Sequence, residues 1–211
     1  MSPSCLSPPA SFWRRLLVFV KKEPVLTPSP NLLSRFARLL ESPSRSLSHP
    51  LLDSFLARPL VFPPSLRVVG IGSAVIGGAG KTPVAIEYSK QLKSQGKQVA
   101  FVSHAYGAHP ESACLVRPDS PIDEVGDDAL LAARSLKDFD VPIFCAPSRQ
   151  QALNEAAKHG DWIVVDGILQ ASPKRLTRSV LVLDLYAPFG SRRCLPFGDL
   201  RASPQACIAA S

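Results

Sequence analysis

The chain has 211 residues, 45% of them hydrophobic, with five cysteines, four histidines and a formal net charge of +7. That length suffices for one α/β domain of about 150 residues with its own core, plus an appendage. No stretch approaches the roughly 20 apolar residues that span a bilayer, because the run Leu16 to Val20 is bracketed by Arg14-Arg15 and Lys21-Lys22. The same run is short for a secretory signal, and no A-x-A-like cleavage site follows it. The cysteines at 5, 114, 145, 194 and 207 form no C-x-x-C pair. They point to reduced thiols rather than a disulfide frame or a zinc site, and the scattered histidines argue against a histidine metal cluster.

The positive charge is concentrated at the amino-terminal end. Residues 1–67 hold nine Lys or Arg against Glu23, Glu41 and Asp53, whereas the remainder is nearly balanced. A basic tail points to an anionic partner. Here the cations alternate with large apolar residues in "SFWRRLLVFVKK" and "NLLSRFARLLES". In the second, Leu32, Leu33, Phe36, Ala37, Leu39 and Leu40 share one side of a helix, with Ser34, Arg35, Arg38 and Glu41 on the other. Such a helix suits an anionic membrane surface, and it equally suits packing on a domain with its arginines solvated. Nucleic acid is not expected, since no binding motif or basic stripe occurs outside the tail. Eleven of the 21 prolines lie in the first 64 residues, so residues 1–64 are expected to form a Pro-rich, membrane-associating arm of short helices and turns.

After Pro64 apolar strands alternate with helical stretches. Residues 66–72 are predicted as a buried strand, 81–96 as a helix ending at Gly96, and 98–103 as a second strand. A helix over 126–136, a strand over 141–146, a helix over 148–160 capped by Gly160, and strands over 161–166 and 178–184 follow. This alternation implies crossover units and a parallel sheet flanked by helices. Residues 65–211 are thus expected to be one α/β domain.

Between the first strand and the first helix stands "GSAVIGGAGKT", residues 72–82. In such sheets ligands bind where the carboxyl ends of strands lead into helices. Gly77, Gly78 and Gly80, with Ala79, let the backbone turn its N–H groups toward an anion at the helix start. Lys81 supplies a mobile cation for β- and γ-phosphates, and the Thr82 hydroxyl can ligate Mg²⁺. Pro83 suits the first helical turn. The loop departs from G-x-x-x-x-G-K-[ST] in having Val75 at the first glycine position. The plain alternative is a glycine-rich connector. The expected fold is therefore P-loop NTPase-like, with residues 65–211 as a nucleotide-binding domain.

Two acidic sites fit this reading. "DWIVVD" is an apolar strand ending in Asp166, the arrangement by which such enzymes place a carboxylate near Mg²⁺, although many buried strands end in Asp at a turn. Asp127 and Asp128 stand at a predicted helix start, either as caps facing the helix dipole or with Asp127 as a general base for an attacking hydroxyl.

These pieces, in this order, resemble the tetraacyldisaccharide 4'-kinases, the lipid A 4'-kinases of Gram-negative bacteria. The loop of that family, roughly V-G-N-L-T-V-G-G-T-G-K-T-P, also lacks the first glycine and is close to "IGSAVIGGAGKTP" (71–83). "VSHAYG" (102–107) stands for S-R-G-Y-G, "VGDDALLAA" (125–133) for V-G-D-E-P-L-L-L-A, and Arg149 for a basic residue of the G-R-D-R stretch. "DGILQ" (166–170) stands for D-D-G-L-Q-H, and residues 188–204 for G-F-G-N-G-R-L-L-P-A-G-P-L-R-E-P.

The resemblance implies transfer of the γ-phosphate of ATP to the 4'-hydroxyl of an acylated disaccharide 1-phosphate. Lys81 and Thr82 would bind ATP phosphates and Mg²⁺, Asp127 would be the catalytic base, and Asp166 would lie near the metal. It also implies a peripheral or monotopic protein on the cytoplasmic face of the bacterial inner membrane. The departures are specific. His104 and Ala105 replace the Arg and Gly of S-R-G-Y-G, Gly167 and Ala171 replace the second Asp and the His of D-D-G-L-Q-H, and Asp128 stands for Glu. The family continues into a second lobe carrying a histidine that partners the catalytic aspartate, whereas this sequence stops at Ser211. A catalytically degenerate relative, binding nucleotide or lipid at a membrane, is the competing expectation. A partitioning-type ATPase fits less well, because Ile76 stands where those proteins carry lysine ahead of the paired glycines.

Overall fold

A computed structural model describes residues 58–211 apart from 170, 174, 175, 185, 195 and 196. The arm expected over residues 1–64 thus lies outside the described residues as far as position 57, and the amphipathic pattern at 32–41 lies outside with it. Among the described residues no helix is long and apolar enough to cross a membrane.

The elements are β1 (Arg58–Leu60), β2 (Arg67–Ser73), α1 (Lys81–Ser94), β3 (Val99–Val102), β4 (Cys114–Val116), α2 (Ile122–Val125), α3 (Asp127–Leu136), β5 (Ile143–Cys145), α4 (Arg149–Ala156), β6 (Trp162–Asp166), β7 (Ala171–Pro173), β8 (Arg178–Val182) and α5 (Pro204–Ala209). One sheet has the strand order β4-β5-β3-β6-β2-β8, and β1 pairs with β7 in a separate parallel ribbon. Neighbours from β5 through β8 run parallel. The expectation of a parallel sheet needs one correction: β4 pairs antiparallel with β5 at the edge, where one face of a three-residue strand can stay partly exposed. Directly across that pair Cys114 Sγ lies 3.3 Å from Cys145 Sγ. Burial and the hydrogen bond with Cys114 push the Cys145 thiol up to about 12, so it stays protonated at neutral pH.

The central strands are continuous apolar runs because both of their faces are covered. On one face Val69, Ile71, Phe101 and Val164 meet Val84 and Ala85 of α1 and Ala129 and Ala132 of α3. On the other Val68, Val102, Ile163 and Val165 meet Ala152 and Leu153 of α4. A third cluster joins Ala74 and Leu169 to Leu200, Ala202 and Cys207 of the carboxyl-terminal segment. Helix α4 begins with Ser148, whose side chain accepts the Gln151 N–H, and α5 begins with Ser203 followed by Pro204; both follow the usual capping chemistry.

Gly160 does not cap a helix as expected from its position. Helix α4 ends at Ala156, and a Cβ at position 160 would stand 2.7 Å from the Gln98 carbonyl oxygen. The glycine is there because two backbones pass too closely for any side chain. Gly160→Ala is expected to cost roughly 1–3 kcal/mol of stability in urea denaturation, the scale of overpacking. Gly160→Asn should be no better; an asparagine that matched the parent would restore the capping role.

Candidate active site

The parallel strands of the six-stranded sheet release their carboxyl ends at one edge, and the glycine loop leaves β2 there. Its first half is extended. Val75 forms an antiparallel bridge with Leu200, Ile76 N–H donates to Asp199 O at 2.8 Å, and Arg201 N–H donates to Ala74 O at 2.8 Å. Val75 therefore needs no left-handed backbone, which explains why a β-branched residue can stand at the usual first glycine. The second half turns sharply: Gly77 and Gly80 have φ of 104° and 78°, which side chains rarely adopt. Gly78 has no such φ, and a Cβ there would meet nothing within 4 Å. Its small size leaves room in front of the loop for a ligand to approach the backbone.

Gly80 is the N-cap of α1, and Lys81 opens the helix. Lys81 Nζ bends back to donate to Gly77 O at 3.1 Å. Its pKa is held below the usual lysine value, first by burial and then by the charge of Arg201, against the pull of Asp166 and Asp128. Arg201 is itself tied to the loop, its Nε donating to Val75 O at 3.2 Å. Two cations thus converge on a loop rich in backbone N–H groups, an arrangement suited to a polyphosphate.

The adjoining Thr82 hydroxyl lies 2.6 Å from Asp166 Oδ2 and 2.8 Å from Asp128 Oδ1. A hydroxyl has one proton to give, so one of these short contacts needs a proton on a carboxyl or a cation between the oxygens. Burial pushes Asp166 up to about 6, with Asp128 adding to the rise and Thr82, Lys81 and Arg149 opposing it. Its other oxygen, Oδ1, is buried without a protein hydrogen-bond partner. A hydroxyl between two carboxylates, with a carboxylate oxygen to spare, is an all-oxygen donor set of the kind that suits a hard divalent cation.

Every residue expected from the sequence at this site lies at this edge of the sheet. Lys81, Thr82 and Asp166 come together around the loop. Asp127, the expected base, is exposed at the first position of α3, where its Oδ1 accepts the Asp128 N–H at 2.9 Å. Asp128, not Asp127, reaches Thr82. The sequence alone does not assign Asp128 or Arg201 to the site, although the first stands beside Asp127 and the second lies within residues 188–204, the last stretch that resembles the family. Arg149 Nη2 donates to Gly167 O at 3.4 Å, so this cation also flanks the end of β6. A separate cavity of about 480 Å³ opens at the opposite, amino ends of β3 and β5. Its Lys93 is paired with Asp140 at 2.9 Å, while Arg117 and Lys137 are exposed; these are solvated charges remote from the loop.

The folded chain favours the protonated Asp166 carboxyl, so its stability falls as pH rises from about 4 to about 6 and the penalty is fully present above that range. Asp166→Asn should stabilise the ligand-free chain by roughly 2–3 kcal/mol at pH 7, with the gain shrinking toward pH 4. Urea denaturation at the two pH values tests this, and a destabilised variant at pH 7 would show that the carboxylate is a structural member.

Comparison with known proteins bears on this site. The sequence model of the tetraacyldisaccharide-1-P 4'-kinase family matches residues 56–210. The tetraacyldisaccharide 4'-kinase of Anaeromyxobacter dehalogenans (strain 2CP-C) is 35% identical over 145 residues, covering 66% of this chain and 38% of that protein. That of Ruthia magnifica is 34% identical over 139 residues, 64% of this chain and 43% of the relative. That of Pseudomonas syringae pv. tomato is 35% identical over 137 residues, 64% and 40% respectively. The chain thus spans about two-fifths of the length of these relatives. The fold is similar to a crystal structure of the "apo" form of LpxK from Aquifex aeolicus in complex with ATP, with a TM-score of 0.55 and 20% identity over 85% of this chain and 56% of that one. With a family match running from residue 56 to residue 210 and the glycine loop, Lys81 and Asp166 inside it, the chain belongs to the tetraacyldisaccharide-1-P 4'-kinase family.

Proposed function

We propose that this chain carries the nucleotide site of a lipid kinase, one that transfers the γ-phosphate of ATP to the 4'-hydroxyl of a tetraacyldisaccharide 1-phosphate in lipid A biosynthesis. The observation that carries the reading is the Thr82 hydroxyl held between Asp166 and Asp128, immediately beside Lys81 on a glycine loop. Backbone N–H groups of Gly77, Gly78 and Gly80 and the Lys81 ammonium hold the β- and γ-phosphates, while the Ala79 N–H closes the turn on Gly77 O at 2.8 Å. Thr82, Asp166 and Asp128 would hold Mg²⁺, which supplies positive charge to balance the triphosphate. Lys81, with Arg201 behind the loop, stabilises the charge that gathers on the transferred group. Asp127 faces solvent at the start of α3, where an acceptor hydroxyl can meet it, and takes the proton as the sugar oxygen attacks. The basic amino-terminal arm holds the protein at the cytoplasmic face of the inner membrane, where a lipid acceptor resides.

A second reading, a relative that binds nucleotide without transferring phosphate, is favoured by Gly167 and Ala171, which stand where the family has an aspartate and a histidine.

One set of measurements separates them: transfer of labelled γ-phosphate to a tetraacyldisaccharide 1-phosphate in detergent micelles, together with ATP binding. Lys81→Ala should weaken ATP binding roughly 10- to 100-fold, the worth of a charge-assisted contact; unchanged affinity would remove the phosphate-loop assignment. Asp127→Ala should leave ATP binding intact and lower transfer by about 10²- to 10⁴-fold. Bound ATP with no transfer by the parent chain would establish the second reading.

A further inference from the structure

Among the described residues the Ser103 hydroxyl and Asp166 Oδ1, both at the carboxyl edge of the sheet, are buried with no hydrogen-bond partner within the protein. They are neighbours by register. Strands β3 and β6 run parallel with Val102 opposite Val165, so the next residue on each, Ser103 and Asp166, stand side by side. They also share a face. Phe101 and Val164, two residues earlier, both enter the cluster beneath α1 and α3, and side chains two apart on a strand point the same way. Ser103 is 2% and Asp166 4% exposed, and the Ser103 N–H is fixed on Phe144 O at 3.0 Å.

A buried hydroxyl without a partner is destabilising, and packing alone would be served as well by alanine. Two polar atoms that face the same space are what a buried water needs, since such waters are held by two to four polar groups.

We propose that Ser103 is a positioning residue of the phosphate site: its hydroxyl and Asp166 Oδ1 together hold one water between the ends of β3 and β6, which orients the Asp166 carboxylate so that Oδ2 faces Thr82 and the divalent cation. This rests on the cation site proposed above. The hydroxyl does not touch nucleotide or metal. It fixes the rotation of the carboxylate that does, and groups in that relation to a metal ligand typically change metal affinity 10- to 100-fold.

The test titrates Mn²⁺ into the full chain with and without ATP, reading free Mn²⁺ by electron paramagnetic resonance, for the parent, Ser103→Ala and Ser103→Cys. Cysteine fills the serine volume with a much weaker hydrogen-bonding group. Both variants should bind Mn²⁺ about tenfold or more weakly, while ATP affinity measured in EDTA stays at the parent value. The metal-free Ser103→Ala chain should still unfold cooperatively near the parent's temperature, so that the weaker Mn²⁺ binding reports the lost hydroxyl and not a lost fold. Mn²⁺ affinities within twofold of the parent, with ATP-dependent Mn²⁺ binding retained, would overturn the role of Ser103 alone. A parent chain that binds neither Mn²⁺ nor ATP would overturn the nucleotide-site reading and this one with it.

Discussion

The Thr82 hydroxyl joins residues 46 and 84 positions away in sequence, and the geometry of the whole edge follows from that junction. It fixes the start of α1 against the end of β6 and the start of α3. In water two carboxylates would avoid sharing one hydroxyl. Here the apolar clusters on either face of the sheet leave them no alternative. Burial makes the cost visible in the raised pKa of Asp166, and the nearby cations Lys81 and Arg149 offset part of it. The site is a place where the fold accepts unfavourable charge density, the usual mark of residues kept for a ligand rather than for stability.

What could be read in the sequence follows from range. Strands β2, β3 and β6 are apolar on both faces, so their residues form unbroken runs that stand out at once. The loop was legible because its glycines act locally, through backbone angles at 77 and 80. Strands β1, β4 and β7 have three residues each, too few for any periodicity to register. The constraint on Gly160 is non-local too: a side chain there would meet the Gln98 carbonyl, on a segment that no local pattern connects to it.

The acidic pair shows a finer limit. Asp127 and Asp128 are adjacent, and which of them turns toward Thr82 depends on the phase of α3. Once the helix begins at Asp127, the next residue lies about 100° further round. That single step puts Asp128 against Thr82 and leaves Asp127 in solvent. No spacing rule distinguishes the two before the helix is placed. Arg201 was hidden differently, since its meaning comes from Val75, 126 residues earlier.

That distance also sets an order of events at the ribosome. Chains elongate at about 5–20 residues per second, so Leu200 follows Val75 by roughly 6–25 seconds. During that interval β2, β3, β5 and β6 can assemble, and the glycine loop has its turns but not the strand that straightens its first half. The straight first half of the glycine loop is therefore formed well after the sheet that carries it. A product released before the segment around Leu200 is made would keep most of its sheet and lose the scaffold of its loop, and in a cell it would occupy folding assistance without completing the carboxyl edge.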